Sequence, residues 1–319
     1  MTRQEIIYDR VMGCLYGQAI GDALGFGAEA MSKDDVRTHY PHGLKKYDEI
    51  IQDSRRRGWP IGMWTDDTEM MLCVMNAYIK EKQLNPWTLA RLLLDWYEVM
   101  GHTCGILTKK VLNFAPELYE KDPVSVSKLV WQLKGCNNAP NGGLMRTSIV
   151  GLWPEDVASN AELLCQMTHY DLRCVASCVI ASVVIYNFVW YGKMLTKDEV
   201  IDIGHFYDNR VDEWVELAYK SEDIAELELD ESKSMAYTFR TLACALWCYW
   251  HSPSFEEGLL AVVNEGGDAD TNAAISCAVL GAKFGYKNIP TYYIENLYNE
   301  KEYRTKCEAF VRLAIGEKS

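Results

Sequence analysis

A chain of 319 residues that is 49% hydrophobic and 24% charged has enough apolar content to bury a sizeable core and too much to remain disordered. Its 45 acidic against 32 basic residues give a net charge of −13. That field repels phosphate backbones, which argues against general nucleic-acid binding, and it tolerates bound cations.

The first residues, Met1 to Glu5, lack the apolar run of a secretory signal, and the expected compartment is the cytoplasm. Gly13, Gly17, Gly21 and Gly25 then fall four apart, along one side of a helix. Each costs about 1 kcal/mol of helix stability relative to alanine, so four in register imply a closely approaching backbone or ligand. Close helix packing is the preferred reading. Asp22 and Glu29 flank the end of this helix. Next, Trp64-Thr65-Asp66-Asp67-Thr68-Glu69 stands just before an apolar helical run. Asn85-Pro86 reads as an N-cap with proline at the first helical position, and Leu89, Leu92, Leu93, Trp96, Tyr97 and Met100 share one face behind it.

Asn141-Gly142-Gly143-Leu144-Met145-Arg146 reads either as a turn or as a loop whose bare backbone approaches a ligand. Thr168-His169 precedes a helix that Asp171 could cap and that runs to Tyr191. From Cys174 onward this helix is as apolar as a short membrane span, but Ser177, Ser182 and Asn187 favour a buried core helix, and no membrane association is expected. The acid-rich stretch from Asp212 to Glu231 reads as a solvated face or loop. Helical patterns continue over Thr238 to Trp250, Gly258 to Val263 and Thr271 to Phe284. The last follows Gly266-Gly267-Asp268-Ala269-Asp270-Thr271. Strand signals are few, so the expectation is an all-α chain forming one compact domain over residues 1–319. The 11 cysteines, an odd number scattered through apolar stretches, read as reduced, buried thiols without zinc spacing.

The two acidic motifs have a simple structural explanation. Asp66 with Glu69 is a capping box, and Asp270 or Thr271 is a good N-cap. A cap needs one acid, however, and each motif carries two beside a hydroxyl. Carboxylate and hydroxyl oxygens suit Mg²⁺, Mn²⁺ or Ca²⁺. A pair of cations, with one carboxylate shared, would relieve the repulsion among four converging aspartates.

These motifs together resemble the ADP-ribosylglycohydrolase family. The resemblance rests on Gly13 to Gly25 with Glu29 behind it, on Thr65 to Thr68, and on Asn141 to Arg146 with Gly151 after it. It continues through Thr168-His169 and Gly266 to Thr271, followed by Gly281 to Gly285. The order is the family's own over almost the whole chain. The resemblance implies a compact single-domain orthogonal helical bundle with a dinuclear metal site in a central cleft. It further implies that Thr65, Asp66 and Asp67 bind one Mg²⁺ or Mn²⁺ ion and Asp268, Asp270 and Thr271 the other. Glu29, Asp66 and Asp67 would be catalytic. Asn141, Gly142, Gly143, Met145, Arg146, His169 and Thr103 would bind substrate, with the segment around Ala236 at another pocket edge. The implied substrate is an ADP-ribosylated protein, nucleic acid or small molecule, hydrolysed at the distal ribose. Thr103 stands where many bacterial members carry an aspartate associated with arginine-linked substrates. Alternatives are a non-catalytic nucleotide-binding or structural relative, and an unrelated metal-dependent phosphohydrolase.

Overall fold

The structure, a computed structural model, describes residues 1–101 and 104–316. Along the chain its α-helices are α1 (Arg3–Gly25), α2 (Lys33–His39), α3 (Asp66–Glu81), α4 (Pro86–Met100), α5 (Ile106–Phe114), α6 (Pro116–Tyr119), α7 (Pro123–Leu133) and α8 (Val157–Gln166). There follow α9 (Leu172–Tyr191), α10 (Lys197–His205), α11 (Val211–Lys220), α12 (Thr238–His251), α13 (Phe255–Val263), α14 (Ala269–Phe284), α15 (Thr291–Glu295) and α16 (Glu300–Ala314). No β-strand occurs among the described residues. The strand-like contact is an isolated antiparallel bridge between Pro140 and Tyr237. The all-α expectation is met.

The glycine stripe of α1 explains the centre of the molecule. A Cβ on Gly17 would lie 2.0 Å from the Cys277 carbonyl oxygen, and one on Gly21 would lie 2.1 Å from that of Ala273. Gly13 and Gly281 exclude side chains reciprocally, because a Cβ on either would press on the other's carbonyl oxygen, at 2.3 and 1.9 Å. Gly25 meets Ala269 at the far end. Residue numbers rise along α1 as they fall along α14, so the two helices are antiparallel and pack backbone against backbone. The close approach is helix packing, not ligand contact. Both helices are buried from Val11 to Gly25 and from Ala269 to Ala282.

Around this pair one hydrophobic cluster gathers side chains from nearly every helix, from Ile7 of α1 to Ala314 of α16. The apolar α9 is a core helix, as expected: 72% of its most apolar window is buried. Local signals set the helix ends. Asn85 Oδ1 accepts from the Trp87 and Thr88 N–H groups at 3.1 and 3.0 Å, with Pro86 behind it. Asp171 accepts from the Arg173 N–H at 3.1 Å, and Gly192 closes α9 in the left-handed region.

Three expectations need correction. The stretch from Asp212 to Glu231 is largely helical: Val211, Val215 and Ala218 are buried along α11, and a 3₁₀ turn follows at Ile224–Leu227. Three apolar residues at helical spacing were outweighed by the density of acids. The Asn141–Arg146 segment is a 3₁₀ helix rather than an irregular loop. All eleven cysteines are free and ten are buried, but Cys136 is exposed.

Gly17→Ala tests the central contact. Alanine gains about 1 kcal/mol of helix propensity, but the backbone clash is expected to reverse this to a net loss of about 2–3 kcal/mol. Calorimetry should show a fall of several degrees in melting temperature; a rise would disprove the backbone-to-backbone account.

Candidate functional site

The antiparallel pairing brings the C-terminus of α1 beside the N-terminus of α14, and both helices are followed or preceded by acids. After Gly25 the chain turns, with Ala30 at φ +61°. The Ala30 N–H donates to the Gly267 carbonyl and the Gly267 N–H to the Met31 carbonyl, each at 2.7 Å. Glu29 is thereby fixed beside Asp268. Gly267 itself has φ +70°, and a Cβ there would lie 2.1 Å from the Leu229 carbonyl oxygen.

Two more side chains of α1 position the rest of the site. Asp22 is fully buried; its carboxylate accepts from the Thr65 N–H at 2.8 Å, the Thr68 N–H at 2.9 Å and the Thr68 hydroxyl at 2.6 Å. It clamps the N-terminus of α3. Gln18, one turn earlier, donates to the Met145 carbonyl at 2.9 Å and to the Asp67 carbonyl at 3.3 Å, tying the Asn141–Arg146 helix to α3.

The acids do little capping. Thr65, not Asp66, is the N-cap of α3, and Glu69 accepts the Trp96 indole N–H at 2.8 Å instead of closing a capping box. Asp268 holds the N-cap position of α14 but makes no capping bond. It accepts from Asn141 Nδ2 at 2.6 Å, while the same amide nitrogen donates to the Thr241 hydroxyl at 2.8 Å. Asp270 accepts the Thr271 N–H at 2.9 Å. Asp67 Oδ1 is buried without a hydrogen-bond partner.

Glu29, Asp268 and Asp270 each offer one carboxylate oxygen within 4.8 Å of the others. They open into a cavity of about 540 Å³ that Asp66, Asp67 and Thr271 also line. Both acidic motifs therefore meet in one space. Burial pushes the carboxyl groups up: Asp268 to about 6, and Asp66 to about 7 with help from the Asp22 charge. Asp67 and Asp270 are raised well above the usual range, by burial and then by the neighbouring carboxylates. Burying that much like charge is unfavourable unless protons or cations neutralise it. An all-oxygen donor set, an excess of carboxylates and an orphaned Asp67 oxygen fit a hard divalent cation. This acidic cluster could hold a metal ion.

Asn141, Gly142, Met145 and His169 line the same cavity. A Cβ on Gly142 would crowd His169 Nε2 at 3.1 Å, so any side chain there would push on the imidazole. The Thr168 hydroxyl accepts from Arg146 Nη2 at 2.5 Å and lies 2.7 Å from His169 Nδ1. Arg146 leaves that hydroxyl proton free for Nδ1, so Nε2 carries the imidazole proton, as assigned from the hydrogen-bond chain. Burial, then the Arg146 charge, holds the imidazole well below its usual value.

Three expected site residues stand behind the cavity wall. Arg146 is fully buried and donates to the Gly142 and Leu164 carbonyls, so it shapes the 3₁₀ helix without facing the cavity. Gly143 packs against Cys165 and His169. Thr65 is an N-cap whose hydroxyl lies 3.2 Å from Asp67 Oδ2. Thr103 lies outside the described residues. Ala236 lines the cavity, and its carbonyl accepts from the Asn141 N–H at 3.0 Å. Sequence reasoning missed Arg55, Lys110 and Lys134, which also line it. Nothing marks these as other than surface cations in the sequence, since they belong to no motif.

A family model described as ADP-ribosylglycohydrolase matches residues 3–318. The chain belongs to the ADP-ribosylglycohydrolase family. Among its relatives is the ADP-ribosylarginine hydrolase Tri1 of Serratia proteamaculans, 24% identical over 97% of this chain and 81% of that protein. The ADP-ribosyl-(dinitrogen reductase) glycohydrolase of Rhodospirillum rubrum is 25% identical over 97% of both chains. The solved structure of an ADP-ribosylglycohydrolase-related protein complex superposes with a TM-score of 0.73 at 23% identity, covering 97% of this chain and 99% of that one. That likeness shows the ADP-ribosylglycohydrolase fold.

The buried His169 gives a pH prediction. Its folded-state value is depressed, so below about 6.5 the unfolded chain takes up a proton that the folded chain does not. Stability from this group is therefore complete above pH 6.5 and is lost as pH falls. Relative to His169→Asn, the wild type is expected to lose up to about 1.4 kcal/mol per pH unit below that point. A difference that stays constant from pH 7 to 5 in denaturant titrations would refute a buried neutral imidazole.

Proposed function

We propose that the chain is a metal-dependent hydrolase that cleaves the glycosidic bond between the distal ribose of an ADP-ribosyl group and its acceptor. The observation that carries this reading is the convergence of Glu29, Asp268 and Asp270 within 4.8 Å at the wall of a cavity that Asp66 and Asp67 share. A volume of about 540 Å³ is in the range that accommodates a nucleotide-sized ligand. The family membership supplies the reaction class.

Two cations, Mg²⁺ or Mn²⁺, fit the donor set: Asp66 and Asp67 would hold one and Asp268, Asp270 and Thr271 the other, with the Thr65 hydroxyl supporting Asp67 from behind. When bound, they supply Lewis-acid orientation of the vicinal ribose hydroxyls. The protein's own groups do the rest. Glu29 is half-buried and free of the helix termini, so it is the carboxylate placed to take a proton from water or give one to the leaving group. Asn141 orients Asp268 through its amide. Gly142 and His169 Nε2 present a polar wall of fixed shape to the substrate. Bond cleavage at the anomeric carbon develops oxocarbenium character, which a cavity rich in carboxylates stabilises.

The direct test is release of free ADP-ribose from ADP-ribosylarginine, ADP-ribosylserine, an ADP-ribosylated nucleobase and O-acetyl-ADP-ribose, each with Mg²⁺, Mn²⁺ or EDTA. Metal-dependent release from one of them is expected, with Asp66→Ala and Asp270→Ala reducing turnover by roughly 100-fold or more. Turnover undiminished by EDTA, or retained in both variants, would refute the metal assignment. Binding of ADP-ribose with no release from any member would favour a non-catalytic binder.

A further inference from the structure

Arg55 and Arg56 are adjacent but differently used. Arg56 is 2% exposed; it donates through Nε to the Phe26 carbonyl at 3.0 Å and through Nη2 to the Glu29 carbonyl. Asp53 Oδ1 accepts the N–H groups of both arginines at 2.9 Å. This turn is therefore pinned against the turn that carries Glu29, by backbone contacts that do not involve the Arg55 side chain. Arg55 instead lines the cavity. Its Nε donates to Glu29 Oε2 at 3.0 Å and its Nη2 to Glu29 Oε1, occupying both carboxylate oxygens in one fork. Its charge also acts on Asp270 and Asp268. Lys110 and Lys134, the other Lys or Arg residues among the described lining, lie close enough for the Lys134 charge to lower the Lys110 value.

Glu29 thus has two claims on it. One of its oxygens lies within 4.8 Å of oxygens of Asp268 and Asp270, in a group suited to a cation. Both of its oxygens are already engaged by a guanidinium. A divalent ion entering that group meets a fixed positive charge and needs lone pairs that Arg55 holds. We propose that Arg55 is the built-in counter-charge of this site and the positioning residue for Glu29, so that a divalent cation competes with its guanidinium. In the metal-free protein Arg55 holds Glu29 over the cavity and offsets part of the carboxylate charge. A bound cation would take those lone pairs and draw Glu29 out of the fork. The inference rests on the cation-binding reading given above.

Direct titration of Mn²⁺ into metal-stripped protein, followed by electron paramagnetic resonance, tests it in the wild type, Arg55→Gln and Arg55→Lys. Removing the charge is expected to tighten Mn²⁺ binding about tenfold or more, whereas Arg55→Lys, which keeps the charge, stays near the wild type. A residue that merely ordered the turn would show the opposite sign, because losing it would weaken binding. Melting of the metal-free proteins separates the two further, since Arg56 still anchors the turn and Arg55→Gln should unfold within a few degrees of the wild type. Mn²⁺ affinity unchanged or weakened in Arg55→Gln would overturn the counter-charge role. If the wild type binds no Mn²⁺ at all, the cation reading itself fails.

Discussion

The contact on which everything else depends is the backbone-to-backbone packing of α1 on α14. Four glycines four residues apart let the first helix lie directly on the carbonyl oxygens of a helix near the other end of the chain. No side chain intervenes, and a slip of one or two residues would place Cβ atoms against the backbone. That register decides where the turn at Glu29 meets the N-terminus of α14. Gln18 and Asp22, on another side of the same helix, then fix the 3₁₀ helix and the start of α3. One helix therefore locates all three segments of the site. Helical propensity is sacrificed along α1 to obtain this precision.

The site shows the opposite economy to the core. Its carboxylates are gathered where burial and mutual repulsion both raise their protonation. Such an arrangement costs folding stability unless protons or cations offset the buried like charge. Hydrogen bonds to the fixed frame, from Asn141 to Asp268 and from Thr271 to Asp270, hold the oxygens in place. They leave other lone pairs facing the cavity. The Asp67 oxygen without a partner is the clearest case.

Much of this was legible in the sequence because it is written in residues with narrow physical uses. Spacing of Gly13 to Gly25 marked a close approach, and paired acids beside hydroxyls marked both halves of the acidic cluster. Apolar periodicity gave α4, α9, α12 and α14. Three things were not legible. Asp22 looked like an ordinary acid at a helix end, because its clamp on Thr65 and Thr68 exists only after α3 docks. Arg146 sits inside the Asn141–Arg146 motif but acts from behind the wall, and no one-dimensional pattern distinguishes a residue that faces a cavity from one that shapes it. Arg55 belongs to a run of three arginines that reads as surface charge, yet its position is set by its neighbour Arg56. Helices α2 and α10 carry capping boxes, Ser32 with Asp35 and Thr196 with Glu199, that a more systematic reading of caps would have found.

The reciprocal bonds between Ala30, Met31 and Gly267 have a consequence for biosynthesis. They join a segment made early to one made late, and α1 cannot complete its packing until α14 has left the ribosome. Until then the glycine-lined side of α1 lacks its natural cover, and the acids of the first motif lack their partners. Folding of the nascent chain is therefore held back by contacts between its two ends, the regime in which folding is slowest and protection by chaperones matters most.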